Sequence, residues 1–158
     1  MPFSIFEMSI VLSFTLAFNT LPFKFEAGTP HVEGAVGTKA AIDFVNGLGK
    51  NEIFEYEQSL LKMAQAELKA IEGLKLFGEA REKASIISFT FDKAHHSDIG
   101  QILDQYGIAV RVGNHCTQPL LKKFGLTGTV RASLSVYNNQ NDIERLVDGV
   151  KKAKRMLL

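Results

Sequence analysis

The stretch Arg111-Val112-Gly113-Asn114-His115-Cys116-Thr117-Gln118-Pro119 carries the residue types best suited to chemistry. Cys116 is the only cysteine of the chain, His115 directly precedes it, and Arg111 lies upstream in the same run. Gly113 allows a tight backbone turn before the thiol, and Pro119 marks the end of the loop. The thiolate is the nucleophilic form of cysteine, and nearby cationic or hydrogen-bonding groups favour it. Arg111 or His115 can play that part for Cys116. Two readings stay open on this local chemistry: a reactive thiol, and an inert half-buried cysteine beside polar residues by chance. Metal ligation is not indicated. His31, His95, His96, His115 and Cys116 are the available ligands, and no Cys-x-x-Cys or His-x-x-x-His spacing groups them.

Arg131 is the second residue of interest. It sits in Gly128-Thr129-Val130-Arg131-Ala132-Ser133-Leu134, a strand-like run of otherwise small and apolar residues. A guanidinium in such a setting needs a partner, and its fork geometry suits a carboxylate. That carboxylate is either a ligand's or an internal Asp or Glu. Gly28-Thr29, between Pro22 and Pro30, offers a close-approach backbone and a hydroxyl for an anion; an ordinary turn explains the same residues.

These residues need a scaffold, and the composition allows one. The chain has 158 residues, 46% of them hydrophobic and 22% charged, enough for one globular domain with a core. A net charge of +1 suggests neither a nucleic-acid surface nor an acidic partner. One cysteine cannot form an internal disulfide, which fits a reducing compartment, the cytoplasm. Met8 to Phe18 is an almost unbroken apolar and hydroxyl run. It is shorter than the roughly 20 residues that span a bilayer, and no membrane association is expected. Its Phe, Ile, Val, Ser and Thr favour an extended strand over a targeting segment.

Periodicity supplies the elements. Val36, Ala40, Ala41, Phe44, Val45 and Leu48 recur at helical spacing, with Gly47 and Gly49 as stops. Asn51 is a candidate cap for a second helix, with Leu60, Leu61, Ala64 and Leu68 on its apolar face. Leu74 to Phe77 and Ser85 to Phe91 read as strands. Ser97 is a candidate cap for a short helix to Tyr106 that turns Ile99, Ile102 and Leu103 inward, with His95 and His96 on the surface before it. Ile108 to Val112 reads as the strand that delivers the chain into the cysteine loop, and Leu120 to Phe124 as a helical turn. Val130 to Val136 reads as a further strand, and Asp142 to Leu157 as a final amphipathic helix burying Ile143, Leu146, Val147 and Val150. The fold class is α/β: a small, mostly antiparallel sheet with helices packed on it.

Three motifs together resemble one family. They are Phe25-Glu26-Ala27-Gly28-Thr29-Pro30, then Tyr106-Gly107-Ile108-Ala109-Val110-Arg111 leading to Gly113, His115 and Cys116, then Arg131-Ala132-Ser133-Leu134 with Val136-Tyr137-Asn138. In order and spacing they resemble the SUF-type cysteine desulfurases, also called selenocysteine lyase-like enzymes, of the class V aminotransferases. The resemblance implies pyridoxal phosphate (PLP) as cofactor and L-cysteine or selenocysteine as substrate. It implies a persulfide on Cys116 with release of alanine, and a sulfur-acceptor protein of the SUF type serving iron–sulfur cluster assembly. Arg131 matches the clamp on the substrate carboxylate, and Arg111 and His115 match polar residues of the active-site loop. Gly28 and Thr29 match the segment that reaches the partner's PLP phosphate in a homodimer.

The family's Schiff-base lysine follows a histidine, and no His-Lys pair exists in this chain. Asn114 stands where many members have a second histidine. The resemblance therefore implies residues 31–158 as the C-terminal small domain, similar to that of fold-type I PLP enzymes. Residues 1–30 are then an extended N-terminal segment. Such a chain is expected to be inactive alone; a stand-alone, non-catalytic sulfur-carrier or dimerisation module is the alternative.

Overall fold

A computed structural model describes residues 20–26 and 28–158. The apolar run Met8 to Phe18, read above as a strand, lies outside the described residues. Backbone contacts divide the chain into two compact units, one up to Val45 and one from Asn46 to Leu158.

In the first unit, Phe23–Phe25 forms a single 3-10 turn where the sequence suggested extended chain. Gly28 and Thr29 follow in an exposed bend, Gly28 with a φ of 80°. Helix α1, Val32–Leu48, starts here and matches the apolar spacing, yet it buries none of its residues. Val36 and Phe44 are exposed.

The second unit holds the core. Helix α2 spans Lys50–Lys69, β1 Leu74–Phe77, β2 Ile86–Phe91 and α3 His96–Gln105. Then come β3 Arg111–Gly113, α4 Gln118–Lys123, β4 Thr129–Ser133 and α5 Gln140–Leu157. The four strands form one sheet in the order β1-β2-β4-β3, every pair antiparallel. Period-two alternation then assigns the two faces. Ile87, Phe89, Phe91, Val130 and Ala132 point to one face and are buried against Leu61 and Leu68 of α2, Ile99 and Leu103 of α3, and Ile143, Val147 and Val150 of α5. Fully burying one such side chain contributes about 1.5–3 kcal/mol, so this layer anchors the sheet. The opposite face carries Ser88, Thr129, Arg131 and Arg111.

Several boundaries differ from the sequence reading, each for a local reason. Gly49, at φ 86°, ends α1 and precedes α2, so Asn51 falls inside the first turn and caps nothing. His95, not Ser97, caps α3: its Nδ1 accepts the backbone N–H of Ser97 at 3.3 Å. His96 is buried, not on the surface. Ile108 and Val110 pack against the core, and the strand expected from Ile108 begins only at Arg111. Strand β4 stops at Ser133, short of Val136, because Asn138 folds the chain back. Its Oδ1 accepts the Ser135 N–H at 2.9 Å. Asn139 then caps α5 in a reciprocal capping box with Asp142.

Candidate functional site

Three parts of the second unit converge on the polar face of the sheet. Register places Arg131 directly opposite Ser88 of β2 on one side and Arg111 of β3 on the other. Directly opposed residues share a face with Cβ atoms roughly 5 Å apart. Two arginine side chains thereby leave the same face of neighbouring strands. Among the described residues neither forms a salt bridge, and the Nε of Arg131 is buried with no hydrogen-bond partner. The internal carboxylate allowed by the sequence is therefore not found among the described residues.

A cleft of about 420 Å³ opens over this row, lined by Phe77, Ser88, His115, Thr129 and Arg131, with Leu120, Leu121 and Phe124 from the α4 side. Phe77 and Phe124 meet edge to face with ring centroids 6.0 Å apart, giving the cleft an apolar wall.

The cysteine loop crosses between β3 and α4. His115 and Cys116 both have left-handed backbone, at φ 51° and 61°. Non-glycine residues pay about 1–2 kcal/mol each for that conformation, so other contacts must hold it. Three do. Asn114 Oδ1 accepts the Cys116 N–H at 3.1 Å. The Asn114 carbonyl accepts both the N–H and the hydroxyl of Thr117, each at 2.8 Å. The His115 ring anchors to β4, its Nε2 lying 3.1 Å from the Thr129 carbonyl oxygen and 3.0 Å from the Thr129 hydroxyl. Between these anchors the Cys116 thiol is free and exposed, flanked in sequence by two lining residues of the cleft, His115 and Thr117.

Electrostatics separate the loop residues. Burial pushes the His115 pKa below its ordinary value; the Thr129 carbonyl opposes this, and Arg131 and Arg111 add to the lowering. His115 is therefore neutral at pH 7, and the positive charge near the loop comes from the arginines. His96 is lowered likewise, first by burial and then by His95 and His115, against Asp98. Among the described residues no group of three or more acidic, His or Cys side chains could hold a metal. No described helix is long and apolar enough to cross a membrane.

Of the residues singled out in the sequence, Cys116, His115, Arg111 and Arg131 thus gather at one end of the sheet. Gly28 and Thr29 belong to the N-terminal unit. Two contributors escaped the sequence reading. Asn114 shapes the loop, and buried Thr129 anchors the histidine. Thr129 was within reach, because a residue two before Arg131 on a strand shares its face.

Comparison with known proteins identifies the family. The family model for aminotransferase class-V matches residues 7–146. A probable cysteine desulfurase of Xylella fastidiosa (strain Temecula1) is 44% identical over 140 residues, covering 89% of this chain and 34% of that protein. The crystal structure of a cysteine desulfurase from Escherichia coli, in an S-sulfonic acid form, superposes with a TM-score of 0.81 at 38% identity over 89% of this chain and 35% of that one. The apo cysteine desulfurase of Thermococcus onnurineus gives 0.81 at 34% identity, over 89% and 36%. The chain thus spans about a third of the length of the curated relatives it matches. On the extent of the family match, this chain belongs to the class V aminotransferases.

Proposed function

We propose that this chain is the C-terminal, small-domain part of a PLP-dependent cysteine desulfurase, with Cys116 as the sulfur-accepting nucleophile. The observation that carries this is the pairing of an exposed thiol on a latched left-handed loop with two arginines that have no carboxylate partner among the described residues. An amino-acid substrate brings the missing carboxylate. Arg131 supplies the fork for it, and Arg111, directly across, adds positive charge. The apolar wall of Phe77 and Phe124 limits water on one side of the cleft. In net terms the Cys116 thiol and L-cysteine give a Cys116 persulfide and L-alanine. The carbon–sulfur bond of the substrate breaks, a sulfur–sulfur bond forms, and the proton count is unchanged.

PLP supplies the electron sink for such chemistry when it is bound. The described residues do not fit it by themselves. No lysine lines the cleft to form a Schiff base, and no carboxylate lines it to meet a pyridine nitrogen. The cofactor lysine therefore belongs, in this reading, to the part of the relatives that this chain does not span. In the same reading Gly28 and Thr29 reach the PLP phosphate of a second protomer in a homodimer. Selenocysteine is an alternative substrate, the persulfide passes to a SUF-type acceptor protein for iron–sulfur cluster assembly, and the enzyme works in the cytoplasm.

The absence of a lysine from the cleft also favours a second reading, a non-catalytic module that dimerises or carries sulfur on Cys116. One experiment separates the two. The chain alone is titrated with PLP and treated with borohydride, and a chimera joining it to the remaining part of a relative is assayed for alanine release from L-cysteine. The desulfurase reading predicts no reducible PLP band in the chain alone, alanine from the chimera, and none from its Cys116→Ala variant. A chimera that binds PLP and makes no alanine overturns it in favour of the module.

A further inference from the structure

The mechanism proposed above leaves one buried polar contact unexplained. Thr129 is 2% exposed, yet it gives both its carbonyl and its hydroxyl to one ring nitrogen of His115. A carbonyl oxygen only accepts, so the atom 3.1 Å from it, Nε2, must carry a hydrogen. In a neutral imidazole the other nitrogen, Nδ1, is then bare. That atom is buried and has no hydrogen-bond partner among the described residues. The opposite tautomer would point a lone pair at the carbonyl and bury an unpaired N–H at Nδ1, which costs more than an unmet acceptor. The surroundings act in the same direction. Burial first, then Arg131 on β4 and Arg111 on β3, opposes a second proton on the ring, against the Thr129 carbonyl; His115 in turn lowers the pKa of His96 on α3.

We propose that Thr129 is a positioning residue that holds His115 as the Nε2–H tautomer, keeping Nδ1 as an unprotonated acceptor next to the cysteine in sequence and fixing the left-handed loop that presents Cys116. This rests on the reading of Cys116 as the nucleophile for its purpose, though not for its measurement. His115 is then held as a neutral ring at the cleft wall, its Nδ1 buried. Thr129 acts only through His115.

The test needs neither PLP nor turnover. Nitrogen-15 NMR of histidine-labelled chain reads the tautomer directly, and the pH profile of Cys116 alkylation by iodoacetamide reads the loop. The wild type should show the Nε2–H tautomer throughout the neutral range. Thr129→Val, which keeps shape and carbonyl but loses the hydroxyl, should change the alkylation rate near pH 7 roughly 2- to 10-fold, the range set by one buried hydrogen bond. Thr129→Ser, which restores the hydroxyl, should return the wild-type profile. An Nδ1–H tautomer in the wild type overturns the proposal even if Thr129→Val fails to fold, and so does a valine profile that coincides with the wild type. Failure of a chimera to place sulfur on Cys116, with the tautomer as stated, would instead count against the desulfurase reading alone.

Discussion

Replacing Arg131 by methionine should stabilise this chain while removing the group proposed to bind substrate. The unbranched stem is kept, so the packing of the side-chain carbons changes little. Two costs disappear. One is the buried Nε that has no partner among the described residues; an unmet buried polar group costs about 1–3 kcal/mol. The other is the like-charge pair with Arg111 directly across the β3–β4 ladder, which costs about 0.2–1 kcal/mol. Methionine's weaker strand preference takes back a few tenths of a kcal/mol. The net expectation is a gain of about 1–3 kcal/mol, or roughly 3 to 12 °C in Tm for a unit of this size. Urea unfolding followed by circular dichroism measures it, at low and high salt. The charge-repulsion part should shrink as salt rises, and the desolvation part should persist. A loss of 1 kcal/mol or more in Arg131→Met would mean instead that the guanidinium already has a structural partner.

Asn114→Ala removes the acceptor of the Cys116 N–H and should cost about 0.5–1.5 kcal/mol in urea unfolding, with faster alkylation of the thiol. Gly149→Ala in α5 gains helix propensity of about 1 kcal/mol but drives a methyl into Ile108 and to 2.9 Å from Leu103 Cδ2. Overpacking of about 1–3 kcal/mol should win, and thermal unfolding should show a lower Tm. Folding lowers the pKa of both His115 and His96 from 6.5, so below about that pH the unfolded chain binds more protons than the folded one. Stability should be full above that value and fall as the pH drops toward the two folded pKa values. The double variant His96→Gln, His115→Gln should flatten a Tm-against-pH series between about 7 and 5.

Much of this architecture was legible because it is local. The apolar faces of α2, α3 and α5 follow from spacing, since burial on one face imposes the period, and β1 follows from its run of β-favouring residues. What escaped depends on which side chain wins a given backbone group. His95 took the capping role suggested for Ser97 because an imidazole nitrogen accepts as an Asx oxygen does, and Asn138 ended β4 before its alternation ran out. At the site, Cys116 and Arg131 stood out by residue type against their neighbours, as a lone thiol and a charge in an apolar strand. The opposition of Arg111 and Arg131, and the anchoring of His115 by Thr129, need strand register, which no single stretch of sequence encodes. The sequence left His115 as a cationic or a hydrogen-bonding neighbour of the cysteine; burial first, with Arg131 and Arg111 adding to it, decides for the neutral ring.

The most direct measurement is peptide mass spectrometry of the chimera joining this chain to the remaining part of a relative, loaded with PLP and given L-cysteine. One added sulfur, removable by reductant, is expected on the peptide that contains Cys116. A chimera that releases alanine while the Cys116 peptide stays unmodified, or that keeps full activity as Cys116→Ala, would contradict it.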